Sequence, residues 1–213
     1  MNAPELEVRW LGRVAYEEAL ELQDHLWQQR LDGQIPDTLL LLDHEPVYTI
    51  GRTQDRSSLP TNLDQLPHPL VEISRGGQAT YHGPGQLVGY GIVNLRHYGQ
   101  DLHAYLRALE QSVIDVCATL GLSTTRREGL TGVWCEDRKL ASIGVGVRQW
   151  TTMHGFALNV EHDVSAFDAI TPCGIEEVTM TSLAREMRNE DLSVNEVADE
   201  YPQHLVSALQ SLG

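Results

Sequence analysis

The sequence predicts an α+β fold, with a mixed and largely antiparallel sheet and helices packed on it. Helical periodicity is confined to three separated segments, near residues 16–31, 101–120 and 193–212. Elsewhere short apolar runs follow one another, and strands without an intervening helix pair antiparallel. With 213 residues, 41% of them hydrophobic, the chain is long enough to bury its own core. We therefore expect one domain over residues 1–213, with a helical C-terminal portion over residues 176–213.

Each predicted helix carries its own start or stop signal. In residues 16–31 apolar side chains recur at helical spacing, and Gly33 is placed to end that helix. Asp101 is placed to cap the second helix, and Gly121 to end it. Ser193 and Glu196 form the capping-box pattern of the last helix.

The predicted strands are short apolar runs bounded by polar or turn residues. They cover residues 37–43, 47–50, 70–74, 87–95, 132–135, 140–147 and 152–160. The last three are joined by short turns, which predicts antiparallel neighbours in one sheet.

Charge and cysteine content exclude several classes of protein. The 30 acidic residues against 15 basic ones give a formal net charge of -15, which disfavours nucleic acid and anionic membranes as partners. No stretch approaches the roughly 18 apolar residues of a membrane span. Three cysteines without metal-ligand spacing, and an N-terminal run (MNAPELEVRW) without a targeting pattern, predict a reduced, cytoplasmic protein with no metal.

Lysine is almost absent from the chain. Of its 15 basic residues, 14 are arginine, and Lys139 is the sole lysine. Codon bias accounts for the depletion, but arginine serves wherever only charge is needed. A lysine that survives this bias is a candidate for giving up its proton near neutral pH, which a guanidinium cannot do.

Residues 75–86 form the most unusual stretch, RGGQATYHGPGQ. Its four glycines let backbone approach a ligand closely, while Arg75, Thr80, Tyr81 and His82 supply polar groups. A simple hairpin turn is the alternative, but that predicts small polar neighbours rather than a Tyr-His pair. The stretch matches neither the dinucleotide fingerprint nor the phosphate loop.

Cys173 is the candidate nucleophile among the three cysteines. Pro172 fixes the approach to it, and Gly174 leaves the thiol unobstructed. Cys117 falls on the inner face of a helix, and Cys135 ends a strand beside charged residues. An unassisted thiol is only a few per cent thiolate at neutral pH, so Cys173 needs a cationic neighbour. The sequence leaves four candidates for it: His44, His82, His154 and Lys139.

Four segments together resemble the lipoyl(octanoyl) transferases of protein lipoylation. They are residues 75–86, 139–144 (KLASIG), 154–159 (HGFALN) and 171–174 (TPCG), within a region of likeness over about residues 43–174. The resemblance implies a fold like that of lipoate and biotin protein ligase catalytic domains. It implies octanoyl-acyl carrier protein as donor, and lipoyl domains of 2-oxoacid dehydrogenases and the glycine-cleavage carrier protein as acceptors. No cofactor is expected.

The resemblance also assigns roles to residues. Cys173 carries the acyl group as a thioester, and Lys139 lowers the pKa of its thiol. We expect backbone amides near Cys173 and in the glycine-rich loop to bind the developing oxyanion, with His82 orienting the site or donating a hydrogen bond. Substrate contacts are implied for Arg75, Gly76, Gly77, Gln78, Ala79, Thr80, Tyr81, His82, Ser142, Ile143, Gly144, Gly155, Phe156 and Ala157.

Both carriers are themselves usually acidic, so a local basic patch is required for encounter. We expect it to include members of a set of arginines around the site mouth, namely Arg52, Arg75, Arg126, Arg127, Arg138 and Arg148.

Three other functions stay open. An ATP-dependent lipoate or biotin protein ligase shares the implied fold and the lysine but needs no cysteine. A catalytically silent carrier-binding protein on the same scaffold would not need the Cys173 and Lys139 pair. A Cys-His amidase or hydrolase would need a third orienting group, and none presents itself.

Overall fold

A computed structural model describes residues 5–52, 55–73, 75–161, 163–175 and 177–212. Ten strands are assigned: β1 Leu6–Val14, β2 Asp37–His44, β3 Val47–Ile50, β4 Leu70–Glu72, β5 Thr80–His82, β6 Gln86–Ile92, β7 Val133–Cys135, β8 Arg138–Arg148, β9 Thr151–Asn159 and β10 Thr179–Met180. Four α-helices are assigned: α1 Tyr16–Leu31, α2 Leu102–Thr119, α3 Leu183–Met187 and α4 Val194–Gln210.

A large sheet forms the centre of the molecule. Its strand order is β1-β2-β6-β9-β8-β10, with β7 paired to β8, and a smaller sheet has the order β4-β3-β5. Antiparallel pairs join β2 to β6, β6 to β9, β8 to β9, β7 to β8 and β3 to β5. The pairs β1/β2, β3/β4 and β8/β10 are parallel. The predicted mixed, largely antiparallel sheet is confirmed.

Alternation along the strands divides the core between two faces of the large sheet. On β2, Leu39 and Leu41 pack with apolar residues of α2 and α4, whereas Leu40 and Leu42 pack with those of α1. Successive side chains of a strand point to opposite faces, so one strand supplies both layers. Because α4 shares a core with the sheet, its packing supports the proposal of a single domain with a helical C-terminal portion.

The predicted helix ends are confirmed at the residues that carry the signals. The Asp101 carboxylate accepts hydrogen bonds from the His103 and Ala104 amides at the start of α2. Ser193 and Glu196 form the reciprocal capping box of α4. Gly33 and Gly121 adopt positive φ after their helices.

The structure corrects the strand prediction at several places. β1 was not predicted, and residues 80–82, expected in a loop, form the strand β5. The predicted strand 87–95 ends at Ile92, because Asn94 caps a short 3-10 turn over Leu95–His97. Ser74, the expected end of β4, lies outside the described residues, as do Glu176 and Gly213 at the ends of the C-terminal portion.

Candidate active site

A cavity of about 440 Å³ lies where the two sheets meet. Its volume falls within the range of small-molecule sites. Residues singled out from four distant segments of the sequence line it together: Arg75, Gly76, Gly77, Gln78, Thr80, His82, Lys139, Ser142, Ile143, Gly144, Gly155, Phe156, Ala157 and Cys173.

Two residues expected at the substrate, Ala79 and Tyr81, do not line this cavity. Because side chains alternate along β5, Thr80 and His82 face the cavity while Tyr81 faces away and contacts the rings of Tyr48 and Phe167. Ala79 is fully buried, and its carbonyl accepts a hydrogen bond from the Cys173 amide at 2.8 Å.

Sequence reasoning missed a further set of lining residues: Tyr16, Tyr90, Leu102, Leu106, Gly129, Leu130, Thr131, Val145 and Ile175. His154, considered beforehand as a cationic neighbour of Cys173, also lines the cavity. The spacing of Leu102 and Leu106 places them on one face of α2, which was readable as a helix face but not as a cavity wall. Tyr16 and Tyr90 carry no local signal in the sequence.

The backbone holds Cys173 in a strained conformation. Its φ of 57° and ψ of 16° lie in the left-handed region, which a non-glycine residue adopts at a cost of about 1–3 kcal/mol. The Cys173 amide donates to Ala79 O at 2.8 Å and the Gly174 amide to Thr171 O at 3.0 Å, and these bonds fix the turn. Positive φ occurs at seven other described non-glycine residues, so the combination of this backbone conformation with a thiol on the cavity wall is what marks Cys173.

Lys139 is the cation beside this sulfur. Its Nζ lies 3.1 Å from Cys173 Sγ, and the Ser142 Oγ lies 3.6 Å from the same atom. Burial raises the pKa of the Cys173 thiol. The charge of Lys139, hydrogen bonds from Ser142 and Lys139 and the charge of Arg75 together outweigh burial, so the pKa lies below its ordinary value.

Lys139 is held firmly at the start of β8. The side chain is 1% exposed, and its Nζ lies 5.5 Å from the centre of the Trp134 ring. Gly132 lies against it, since a Cβ there would approach the Lys139 Cε to 2.9 Å. Among the described residues Lys139 forms no ion pair with a carboxylate. The sulfur of Cys173 is therefore the group that its charge serves.

The other two cysteines have the opposite electrostatic setting. Burial raises the pKa of Cys117 to about 12. Burial, and then the hydrogen bond and charge of Glu186, raise the pKa of Cys135. Of the three thiols, that of Cys173 is the one whose pKa is lowered.

The expectation that backbone amides next to Cys173 bind the oxyanion is wrong. The Cys173, Gly174 and Ile175 amides all donate to carbonyls within the fold, at 2.8, 3.0 and 3.1 Å. The Lys139 ammonium and the Ser142 hydroxyl both lie close to the sulfur and can donate to an oxyanion there. Oxyanion binding by amides of the glycine-rich loop stays a prediction.

Three buried histidines lie at the cavity or next to it: His82 and His154 line it, and His44 contacts His82. The rings of His44 and His82 lie 5.7 Å apart, and that of His154 lies 6.2 Å from Tyr90. Burial lowers the pKa of each of the three, that of His154 to about 4. They are therefore neutral at pH 7, and of the four cation candidates Lys139 is the charged one that contacts Cys173.

The arginines expected at the mouth have different surroundings. Arg75 lines the cavity, and its guanidinium donates to the carbonyls of Thr49, Gly76 and Gln78, which fixes the glycine-rich loop. Two others are paired: Arg126 with the buried Glu110 and Arg138 with Glu136, Asp137 and Glu186. Arg127 and Arg148 lie over the rings of Trp134 and Trp27.

Across the described part of the chain, no helix has the length and apolarity needed to cross a bilayer.

Solved structures of two kinds share this fold. Lipoate-protein ligase A bound with ATP aligns with 97% of this chain and 86% of its own, at 18% identity and a TM-score of 0.76. Biotin protein ligase from Aquifex aeolicus aligns with 96% of this chain and 69% of its own, at 14% identity and a TM-score of 0.56. The fold expected from the sequence resemblance is confirmed.

Curated relatives are much closer in sequence. An octanoyltransferase of Syntrophotalea carbinolica is 48% identical over 206 residues, 97% of this chain and 95% of that protein. An octanoyltransferase of Geobacter sulfurreducens is 53% identical over 176 residues, 83% of this chain and 73% of that protein. The family model of the lipoyl protein ligase A/B catalytic domain matches residues 15–206. On fold, sequence and the extent of that match, the chain belongs to the lipoyl protein ligase A/B catalytic domain family.

Proposed function

We propose that this acyltransferase moves an octanoyl group from octanoyl-acyl carrier protein to a specific lysine of a lipoyl domain, through a thioester on Cys173. One observation carries the mechanism: in the cavity the Lys139 Nζ lies 3.1 Å from Cys173 Sγ. The similarity to octanoyltransferases at about half of all positions supports the choice of acyl group and carriers.

In the first half-reaction the Cys173 thiolate attacks the carbonyl carbon of the incoming thioester. The new carbon-to-Sγ bond forms, the bond to the carrier sulfur breaks, and the carrier leaves as a thiol. Lys139 supplies the proton of that thiol, because its ammonium has lost the thiolate charge that held it. The step exchanges one thioester for another and is nearly isoenergetic.

In the second half-reaction the lysine of the lipoyl domain attacks the octanoyl carbonyl. The amide bond forms and the carbon-to-Sγ bond breaks. The neutral amine of Lys139 takes up a proton from the attacking nitrogen, which restores the ammonium beside the thiolate. Arginine cannot alternate between these two states, because its pKa exceeds about 12.

The apolar part of the cavity wall suits an acyl chain. Ile143, Phe156, Leu102, Leu106 and Leu130 supply it, and the sulfur of Cys173 opens onto the same space. The free state of all three thiols agrees with our proposal of a reducing, cytoplasmic compartment.

The test is a reaction of purified protein with octanoyl-acyl carrier protein and an apo lipoyl domain, read by intact mass. We expect the lipoyl domain to gain one octanoyl group without ATP. Cys173→Ser should abolish transfer, while Cys117→Ser serves as the matched control and retains it. A requirement for ATP and free octanoate or lipoate would instead establish the ligase, and a lipoyl domain that stays unmodified in both assays would exclude both reactions.

A further inference from the structure

The proposed reaction leaves one proton without an acceptor. A lysine side chain enters as an ammonium group and ends as an amide nitrogen with one hydrogen, so two protons must leave it. The neutral amine of Lys139 takes one of them and is then fully protonated. The other proton needs a second acceptor, and this inference, which depends on the proposed function, assigns it to a group on the cavity wall.

A directed chain of hydrogen bonds identifies the acceptor atom. Gln86 Nε2 donates to Tyr81 O at 3.1 Å, and because a carbonyl only accepts, this bond fixes the orientation of the Gln86 amide. Gln86 Oε1 is therefore an acceptor, and His82 Nδ1, 2.8 Å away, is its donor. In a neutral imidazole with a proton on Nδ1, the lone pair is on Nε2.

Further hydrogen bonds hold Gln86 in place from its other side. Gln86 Nε2 also donates to Asn159 Oδ1 at 2.9 Å, and Asn159 Nδ2 donates to Thr181 O at 2.9 Å. The Thr181 amide in turn donates to Lys139 O at 2.9 Å. Gln86, Asn159 and Thr181 are buried, so water does not compete for these bonds. This series of hydrogen bonds thus holds His82 in one tautomer and connects it to the backbone that carries Lys139.

The position of His82 fits the role. It lies on β5, which packs against the turn Pro172–Gly174 that carries the nucleophile, and its side chain lines the cavity. In the described part of the chain its Nε2 has no hydrogen-bond partner. His44 is excluded, because its Nδ1 contacts Val14 O at 2.8 Å and its Nε2 contacts the Tyr90 hydroxyl at 2.6 Å. His154 lines the cavity with both ring nitrogens unpartnered, so nothing fixes its tautomer.

We propose that His82 Nε2 takes the first proton of the acceptor lysine and that Gln86 and Asn159 hold His82 in the tautomer that can do so. The ammonium gives that proton to Nε2, the freed nitrogen lone pair forms the bond to the carbonyl carbon, and the carbon-to-Sγ bond breaks. Lys139 receives the second proton, and His82 passes the first to solvent. This role replaces that of oxyanion donor, because the neutral ring presents a lone pair to the cavity.

The surroundings of His82 favour its neutral form at rest. The groups that face it are the rings of Tyr16 and His44, the guanidinium of Arg75 and the imidazole of His154. None of these is an anion at neutral pH. Burial and these neighbours outweigh the hydrogen bond to Gln86, which favours the imidazolium, so the pKa of His82 lies well below its ordinary value and the ring is neutral at rest.

The variant His82→Asn separates a role of His82 in proton transfer from a structural role through its hydrogen bond to Gln86. An asparagine amide nitrogen occupies nearly the place of Nδ1, so the bond to Gln86 is kept while Nε2 is lost. We expect loading of Cys173 from octanoyl-acyl carrier protein to be retained, with any slowing much smaller than the slowing of transfer. Transfer from the loaded enzyme to the apo lipoyl domain should be slower by about 10²-fold or more, the usual effect of losing a general base. Retained loading of Cys173 also shows that the variant is folded.

Hydroxylamine provides the matched acceptor, because it is already neutral at pH 7 and needs no first proton acceptor. Loaded His82→Asn and loaded unsubstituted enzyme should discharge to it at equal rates. The proposal would be overturned if His82→Asn slowed discharge to both acceptors equally, if it transferred at the unsubstituted rate, or if it failed to load. It would also be overturned if His154→Asn, and not His82→Asn, were selectively slow in transfer to the lipoyl domain. Failure of the unsubstituted protein to load at all would instead overturn the proposed function.

The tautomer has a direct spectroscopic signature. In protein labelled with ¹⁵N-histidine at pH 7, His82 should show a protonated Nδ1 and an unprotonated Nε2. Gln86→Leu should lose this preference. A proton found on Nε2 in the unsubstituted protein would contradict the assignment.

Discussion

Replacing Lys139 by methionine tests how strongly its charge acts on Cys173. At the 3.1 Å between Nζ and Sγ, two unit charges interact by about 5 kcal/mol at an effective dielectric constant near 20. Burial of the thiolate opposes this stabilisation. Even if only a quarter of it survives, about 1.4 kcal/mol, the ratio of thiolate to thiol at a given pH changes about tenfold. Lys139→Met should therefore raise the pKa of the Cys173 thiol.

The assay is the rate of iodoacetamide alkylation at pH 7, followed by mass, since the thiolate is the reactive form. Cys117 and Cys135 contribute little, because the pKa of each is raised. We expect Lys139→Met to react several-fold to about tenfold more slowly than the unsubstituted protein. Arg96→Gln, which removes one positive charge from an exposed position, is the control and should react normally. An unchanged rate in Lys139→Met would refute the electrostatic reasoning.

Three other predictions follow from the structure. Gly132→Ala should lower the free energy of unfolding by about 1–3 kcal/mol and slow alkylation of Cys173. Gly132 has a φ of 137°, and a Cβ there would lie 2.6 Å from Ala141 O and 2.9 Å from the Lys139 Cε. Unchanged urea unfolding and alkylation would contradict this. Gln149→Asn should raise the free energy of unfolding by a few tenths to about 1 kcal/mol. Gln149 begins the two-residue turn between β8 and β9 at a φ of 52°, where asparagine is favoured. A lower free energy of unfolding in urea would argue against this. Burial, followed by the charge of Arg75, lowers the pKa of His154 to about 4 in the folded state, so the unfolded chain binds the proton first and stability falls as pH drops below about 6.5. In urea titrations His154→Asn should lose about 2 kcal/mol less than the unsubstituted protein between pH 7 and pH 5, and equal losses would disprove this assignment.

Much of the fold was predictable because its signals are local. The helix over Tyr16–Leu31 follows from apolar spacing, and the caps at Asp101 and Ser193 follow from side-chain chemistry. The strand β1 was missed although Leu6, Val8 and Trp10 alternate. It lies at the edge of the sheet with Val8 and Trp10 well exposed, and its pairing with β2 shifts register between Trp10 and Arg13. An edge strand of this kind lacks the continuous apolar run that marks the buried strands.

The site was predictable in its members but not in its contacts. The scarcity of lysine selected Lys139, and its Pro-Cys-Gly context selected Cys173, yet the two residues are 34 positions apart in the sequence. They meet because β10 adds in parallel to β8 beside Lys139 and the turn at Cys173 bonds to Ala79 ahead of β5. Those pairings are tertiary, and no local pattern encodes them. For the same reason Tyr16 and Tyr90 could not be assigned to the cavity in advance.

The most direct test of the central claim locates the acyl group on the enzyme. The protein is mixed with octanoyl-acyl carrier protein in the absence of an acceptor, quenched in acid, digested and analysed by peptide mass spectrometry. Our account predicts one octanoyl thioester, on the peptide that contains Cys173, which disappears when an apo lipoyl domain is added before the quench. An octanoyl group on Cys117 or Cys135 instead, or transfer to the lipoyl domain by Cys173→Ser at the unsubstituted rate, would contradict it.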